Sequence, residues 1–346
     1  MKKRKSEISY MNVFFCMGVI LIHVLSDAVT DLPHDAAAYT VIYNVWRMLT
    51  CAVPGFIFLS GLKLSLKPIT DYKRFYLRRV TSVLIPYLIW MPIYYYFSWK
   101  WHYYPEIGVK DFFIKLADGT STAHFYFIIV ILQFYIMMPL WQLITKKLPA
   151  LPVLIVCAVI TCWSQAWLPV IAENNGITLP VTNDRLFINY LLAWACGCYC
   201  GAYYDKAAAM VKKLRYLIYA VFLILAAADL SFVHYVNKTG EIYLQLYYVN
   251  SAYAIAAIFA VMAVMIRLSE RIGMGSCAAL LDRSSYYIYL VHLLVLMAAR
   301  EVVNNNFAEM GVLNRTAVYF VSVYGVSIFA SVIYTAAKDK VKINYR

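Results

Sequence analysis

Long apolar runs dominate the chain, and short polar segments separate them. Each run holds roughly the 17–25 residues that an α-helix needs to cross a bilayer. We count ten of them, at about 9–29, 42–63, 79–98, 125–144, 151–168, 185–204, 213–234, 243–266, 280–300 and 313–337. The pattern predicts an all-α, polytopic helix bundle of about ten transmembrane helices in a single domain over residues 1–346.

The composition and the placement of charge agree with this topology. The chain is 63% hydrophobic and 14% charged, whereas soluble domains average about a quarter charged residues. If the N-terminus is cytoplasmic and the spans alternate, most Lys and Arg fall in cytoplasmic segments, as the positive-inside rule expects. We therefore predict cytoplasmic N- and C-termini and a multi-pass protein of the cell membrane. The net charge of +13 then needs no nucleic-acid partner.

The first run has a basic start but is long for a signal peptide, so we interpret it as an uncleaved helix. It contains His23, which lies about 21 Å deep if residue 9 marks the cytoplasmic edge. An ionisable residue at that depth is costly and indicates either a functional site or a hydrogen bond to a neighbouring helix. Asp27 follows one turn later on the same helical face. It is expected to fix the imidazole tautomer, contact an acceptor, or simply be solvated.

The segment at 63–79 carries six cationic residues and leads into the third run. Arg78 and Arg79 stand at the start of that helix, where free N–H groups also favour anions. Arginine matches phosphate oxygens with its planar fork. The segment therefore indicates a topology marker, a phosphate site, or both.

Two further segments carry weaker signals. The stretch at 99–124 contains apolar residues at helical spacing. They indicate either a short surface helix near residues 109–116 or, as the favoured alternative, a surface loop with an amphipathic turn, and a lid over a site is a third alternative. Cys196, Cys198 and Cys200 point in different directions on a helix, which makes a poor metal site. With Gly197 and Gly201 they indicate close helix packing. We predict no metal and no disulfide framework.

Five dispersed motifs together resemble the acyltransferase-3 family of bacterial inner-membrane acyltransferases. The first helix carries VILIHVLSD, and the second carries PGFIFLSGLKLSLK. The third begins FYLRRVTSVLIPYLIW, the fourth is introduced by HFYFIIVILQFYIMMPL, and the ninth reads SSYYIYLVHLLVL. The resemblance covers most of the chain, and the motifs occur in the family's order on the expected helices.

The resemblance implies transfer of an acyl group, often acetyl, from cytoplasmic acyl-coenzyme A across the membrane. The acceptor would be a hydroxyl of a surface glycan, a cell-wall component or an exported small molecule. It further implies that His23 is the catalytic histidine and that Arg78 and Arg79 hold the coenzyme. Asn12 and Ser82 stand where the family often has basic residues.

Those two departures leave room for Lys5, Lys73 or Arg74 to hold part of the donor, and we expect Lys73 and Arg74 to contact it. The chemistry agrees with the resemblance, because a hydroxyl needs a neutral base within reach to become a good nucleophile, and burial disfavours the charged imidazolium.

Other polar residues in the spans are candidates for the substrate site. They are His124, Gln133, Tyr135, Ser60 and His292. For His292 the alternative is a structural hydrogen bond, and for Ser60 it is close helix packing.

Two rival functions remain. One is a transporter or flippase for a glycan or lipid-linked intermediate, which would not cleave the thioester, and the other is a non-catalytic partner of a polysaccharide synthase.

Overall fold

The computed structural model describes residues 5–176, 183–240 and 244–344, so the basic residues at 2–4 lie outside the described part. All regular structure within these ranges is helical. The α-helices are α1 (Ser6–Asp31), α2 (Ala37–Leu49), α3 (Ala52–Ser65), α4 (Tyr72–Arg79), α5 (Ile85–Lys100), α6 (Val109–Asp118), α7 (Tyr126–Ile136), α8 (Met138–Lys147), α9 (Ala150–Asn174), α10 (Leu191–Ala202), α11 (Tyr204–Thr239), α12 (Leu244–Ile272), α13 (Ser276–Asn306) and α14 (Val312–Asn344).

Eight helical segments of the described chain are long and apolar enough to cross a membrane. The pair α7 and α8, which is bent by 57°, adds a ninth if it crosses as one span. These nine coincide with nine of the ten predicted runs, which confirms an all-α polytopic protein. The run predicted at 185–204 is different. It divides into short 3₁₀ turns and the 12-residue α10, which is only about 18 Å long.

Contacts divide the chain into two compact units. Unit 1 comprises residues 1–53 and 257–346, and unit 2 comprises 54–256. The single domain expected over residues 1–346 stays a prediction.

In unit 1, α1 and α13 run in the same direction. Asn12 bonds to Asp282, Cys16 to the Ser285 carbonyl, and Asp27 to Arg300, so the partner number rises along both helices. The helix α14 runs the other way, because Met17 meets Tyr324 and Asp31 meets Arg315.

The parallel run of α1 and α13 restricts the topology. Two crossing helices point the same way only if an odd number of crossings separates them. Five long spans of the described chain lie between them. The bent pair and the short segment Phe187–Ala202 must therefore both cross or both fail to cross.

In unit 2, the backbones of α3 and α10 lie unusually close. A Cβ atom added at Gly197 would stand 2.1 Å from the Phe58 carbonyl oxygen, and one at Gly201 would stand 2.3 Å from that of Leu62. The predicted small-residue packing of this segment is thereby confirmed. The indole of Trp194 stacks on Phe134 at a centroid distance of 4.4 Å and ties α10 to α7. All eight cysteines are free thiols.

Of the alternatives for residues 109–116, the short helix is confirmed as α6. Its C-terminus is closed by Gly119, whose φ of +69° suits glycine because a Cβ atom disfavours that region. Its N–H donates to the Lys115 carbonyl.

Candidate active site

His23 and His292 lie side by side in unit 1, on α1 and α13. Their ring centroids are 5.3 Å apart with a 41° angle between the planes. The side chain of His292 is fully buried, while His23 is half-buried. Within the described residues, neither ring nitrogen of His23 hydrogen-bonds to the protein. The imidazole of His23 can therefore accept a proton from a ligand.

The backbone fixes the tautomer of His292. Its Nδ1 lies 2.7 Å from the Tyr289 carbonyl oxygen. A carbonyl oxygen only accepts hydrogen bonds, so Nδ1 must carry the hydrogen. In the neutral ring, Nε2 is then an acceptor. The structural hydrogen bond predicted as the alternative for His292 is thus present. It also makes Nε2, on the opposite side of the neutral ring, a hydrogen-bond acceptor.

Asp27 faces Arg300, a pairing that the sequence did not predict. Arg300 donates from Nε to Oδ2 at 2.8 Å and from Nη2 to Oδ1 at 2.5 Å. No hydrogen bond joins Asp27 to His23 among the described residues. Both carboxylate oxygens are engaged by Arg300, so the structure offers no support for Asp27 as the group that orients the His23 ring.

Arg300 is close enough to His23 to act on it electrostatically. It follows His292 by eight residues, which places both on the same face of α13. That spacing was the sequence signal for Arg300. The predicted topology places Arg300 at the outer end of the ninth span, where a solvated side chain is the ordinary expectation.

In unit 2, Arg79 is held by aromatic rings. Its guanidinium carbon lies 5.6 Å from the centroid of Phe75 and 5.4 Å from that of Tyr135. The Tyr135 hydroxyl lies close to both Arg79 and Ser60. The structure thus brings together three residues predicted separately: Ser60, Arg79 and Tyr135.

The guanidinium of Arg79 keeps unused donor capacity. Its Nε is buried and has no hydrogen-bond partner in the described chain. Aromatic stacking leaves the edge of a guanidinium group open for planar, two-point contacts with oxyanions. Arg79 is therefore oriented to bind an anion.

Two tyrosines orient the helix that carries Arg79. Tyr72 donates to the Gln142 side chain at 2.7 Å, and Tyr76 donates to the Ile136 carbonyl at 3.1 Å. These bonds hold α4 along the bend between α7 and α8. By contrast, Lys73, Arg74 and Arg78 are exposed. A single face of α4 therefore presents Arg79 inward.

A π-helical turn, Val80–Leu84, follows Arg79 directly. It is closed by a bond from the Ile85 N–H to the Val80 carbonyl. Pro86 has no N–H, so it cannot complete the α-helical pattern at this point. Ser82, which replaces a basic residue of the family pattern, donates to the Arg78 carbonyl at 2.5 Å. The Ser82 side chain thus supports the widened turn.

The remaining candidates make local contacts. His124 is buried, its ring lies 5.0 Å from Tyr94, and Nδ1 is 3.1 Å from the Thr122 hydroxyl. The Gln133 amide donates to the Arg185 carbonyl at 2.8 Å and accepts from the Phe187 N–H at 3.1 Å. Gln133 therefore fixes the start of the short segment Phe187–Ala202. Substrate contacts for both residues stay a prediction.

A family model described as an acyltransferase domain matches residues 5–336. The chain belongs to this acyltransferase-3 family. The match spans nearly all of both units, including the helices that carry His23, Arg79 and His292. With its membrane-spanning helices, the protein is therefore a multi-pass membrane acyltransferase.

The chain is also similar to proteins described as a probable poly-β-1,6-N-acetyl-D-glucosamine export protein. The Staphylococcus epidermidis relative is 22% identical over 306 residues, which cover 86% of this chain and 82% of the relative. A relative from Staphylococcus aureus strain MSSA476 is 22% identical over 305 residues, covering 86% and 83%. No solved structure matches the chain.

Proposed function

We propose that this membrane acyltransferase takes an acyl group, with acetyl the first candidate, from cytoplasmic acyl-coenzyme A. It delivers the group to a hydroxyl of an extracytoplasmic glycan or cell-wall component. The observation that carries the proposal is His23, a histidine inside a membrane-spanning helix whose ring nitrogens make no hydrogen bond to any residue that the structure describes. The similarity to Staphylococcus proteins supports a location in a bacterial plasma membrane, and the predicted topology places both termini in the cytoplasm.

His23 acts as the general base. It takes the proton of the acceptor hydroxyl while the oxygen attacks the thioester carbonyl carbon. The new C–O bond forms, the C–S bond breaks, and the thiolate of the coenzyme leaves. The imidazolium then returns its proton to that thiolate, which releases the free thiol. No metal ion takes part in this sequence.

Arg79 binds the phosphates of the coenzyme. Its stacked guanidinium provides two-point contacts, which suit phosphate better than a flexible ammonium does. Exposed Arg78, Arg74 and Lys73 add positive charge around it and raise the local concentration of the anionic donor. Ser82 does not replace the missing cation, because its hydroxyl is bound to the backbone.

The acceptor is a surface polysaccharide. The relatives are described as exporting an N-acetylglucosamine polymer, and such a polymer carries the hydroxyl groups that the reaction needs. Ser60, Tyr135, His124, Gln133 and His292 are the side chains that we expect to contact the substrates. Of these, Ser60 and Tyr135 also remain candidates for stabilising the oxyanion.

The word "export" in the description of the relatives favours a second function, movement of a glycan across the membrane. Polar residues inside spans would serve that function too. The two functions differ chemically, because a transporter does not cleave a thioester.

Thiol release from acetyl-, succinyl- and butyryl-coenzyme A by the protein in liposomes tests the proposal. Wild type and His23→Ala are compared, with and without a β-1,6-linked N-acetylglucosamine oligomer. We expect glycan-dependent release that falls at least about hundredfold in the variant, the usual contribution of general acid–base catalysis. His34→Ala, which removes an exposed histidine after α1, is the matched control and should keep full activity.

Two results would contradict the proposal. Absence of thiol release from every donor, by correctly folded protein, would favour transport. Equal loss in His23→Ala and His34→Ala would remove His23 from the role of base.

A further inference from the structure

A groove of about 300 Å³ lies beside α6 in unit 2, outside the membrane-spanning segments. Its lining includes Tyr104, Glu106, Gly108, Asp111 and Lys115. The volume is at the lower end of the range for small-molecule sites. By the predicted topology, this part of the chain faces the extracytoplasmic side, where the acceptor of the proposed function would arrive.

Hydrogen bonds hold the walls of the groove in place. The Tyr95 hydroxyl accepts from the Gly108 N–H at 3.0 Å and donates to Asp111 at 2.9 Å. The Tyr104 hydroxyl donates to the Ser121 carbonyl. The groove is therefore preformed, and a ligand would not have to order it on binding.

The polar groups that face the groove differ in whether they make hydrogen bonds or ion pairs within the protein. Lys115 bonds to Asp111 at 2.9 Å and lies 4.8 Å from the centroid of the Tyr104 ring. The Lys115 hydrogen bond holds the pKa of the Asp111 carboxyl below its usual value, so Asp111 is charged at neutral pH. Glu106 is exposed and has no hydrogen bond or ion pair in the described chain. Its carboxylate remains open to a ligand.

The balance of charge restricts the chemistry of that ligand. Two carboxylates, Glu106 and Asp111, stand against one ammonium, Lys115. An anionic ligand would meet net repulsion, whereas hydroxyl and amino groups can donate to the carboxylate oxygens. Tyr104 adds an aromatic side chain, which offers a ligand the apolar face of its ring beside the polar groups of the groove.

We propose that this groove is a binding subsite for a neutral or amino sugar of the acceptor glycan, and that it excludes uronates and phosphate-bearing chains. The inference rests on the proposed function, because it takes the acceptor to be a glycan. It goes further by selecting the charge class of that glycan and by placing one contact point at Glu106.

Binding of three tetrasaccharide probes to the protein in liposomes, measured without any coenzyme, tests the subsite. The probes are a β-1,6-linked N-acetylglucosamine tetramer, its de-N-acetylated form and a tetramer of galacturonate. We expect the first two to bind wild type at least about tenfold more tightly than the uronate, a ratio that one or two charged hydrogen bonds can supply.

The variant Glu106→Lys should weaken binding of the de-N-acetylated tetramer about tenfold and improve binding of the uronate. Glu106→Gln should show a smaller loss for the same probe. Glu309→Lys, which changes an exposed glutamate in the loop 307–311, is the matched control and should leave all three affinities unchanged. Glu106 is exposed and makes no hydrogen bond or ion pair with the described residues, so we expect its variants to fold and to test binding.

The subsite is overturned if wild type prefers the uronate, or if Glu106→Lys and Glu309→Lys have the same effect on all three probes. These outcomes are independent of catalysis. Sugar binding that depends on Glu106, without thioester cleavage in the separate assay, would refute acyl transfer while the subsite stands. Thioester cleavage without that dependence would refute only the subsite.

Discussion

Arg300 donates two hydrogen bonds to the carboxylate of Asp27, which lies one turn beyond His23 on α1. Both side chains are less than one-third exposed. This ion pair joins the two helices that carry the histidines.

Removal of either partner of this ion pair should destabilise unit 1. Arg300→Ala leaves a partly buried carboxylate without its cation, and we expect a loss of about 3 kcal/mol in the free energy of unfolding. The double variant with Asp27→Ala should lose less than the sum of the single losses. Denaturant titration in detergent measures this coupling. The pair Asp31–Arg315, a single 3.3 Å contact that is more exposed, is the control and should contribute below about 1 kcal/mol.

His292 should act on the reaction and not only on packing. The Asn Nδ2 group can replace His Nδ1, so His292→Asn keeps the bond to the Tyr289 carbonyl and loses only Nε2. If His292 positions His23 or the substrate, His292→Asn and His292→Ala should both lower kcat by at least about tenfold. This loss is one-tenth of the roughly hundredfold loss expected when the base itself is removed. Steady-state kinetics over a range of pH, with thermal stability measured in parallel, test this. Wild-type kinetics in His292→Asn would restrict the residue to a structural role.

Arg79 should matter more to the donor than Arg78 does. Arg79→Ala removes the stacked guanidinium, and we expect the KM for acetyl-coenzyme A to rise about tenfold, the value of one good charge-assisted contact. Arg78→Ala removes only an exposed charge, and its smaller effect should vanish in high salt. Arg79→Lys keeps the charge but not the planar fork, so it should resemble Arg79→Ala. Equal effects of Arg78→Ala and Arg79→Ala would contradict the geometry.

Asn12 should tolerate replacement by lysine. Its amide donates to the buried carboxylate of Asp282 at 2.8 Å, so Asn12→Lys would place an ammonium group against that carboxylate and match the residue type common in the family. We expect the thermal stability to be retained. Asn12→Ala, which removes the donor, should cost about 1–3 kcal/mol. Strong destabilisation by Asn12→Lys alone would contradict this expectation and show that the longer side chain does not fit beside Asp282.

The contact of α3 with α10 should not tolerate a side chain at position 197. The Cβ atom of Gly197→Ala would overlap the Phe58 carbonyl oxygen, and overpacking of this kind costs about 1–3 kcal/mol or more. Gly325→Ala is the control, because nothing lies within 4 Å of its new methyl group. Thermal unfolding in detergent should separate the two variants clearly. A normal melting temperature for Gly197→Ala would refute the close approach.

Hydrophobicity alone predicted nearly all of the spans, because only long apolar segments can lie in a bilayer. It could not show that the run at 185–204 is broken. The break depends on Gln133, whose side chain bonds to the backbone at Arg185 and Phe187 from another helix. Such tertiary hydrogen bonds leave no periodic signal in the sequence.

The candidate site was predictable only in part, for a similar reason. His23 and Arg79 stand out because an ionisable residue in a span and a basic helix start are unusual. Arg300 does not stand out, since its role follows from α1 and α13 lying side by side. Arg79 points inward and Arg78 is exposed because two tyrosines fix the orientation of α4. A linear sequence does not show which of two adjacent arginines faces a neighbouring helix.

The parallel pairing of α1 and α13 has a consequence for biogenesis. His23 leaves the ribosome at the beginning of synthesis, whereas His292 and Arg300 emerge only near its end. While the intervening spans insert, His23 has no neighbour from α13, and the site does not yet exist. If the proposed acyl transfer takes place at this site, the nascent chain gains the activity only after its final helices have been inserted. Premature termination anywhere before α13 would then yield a membrane protein without it.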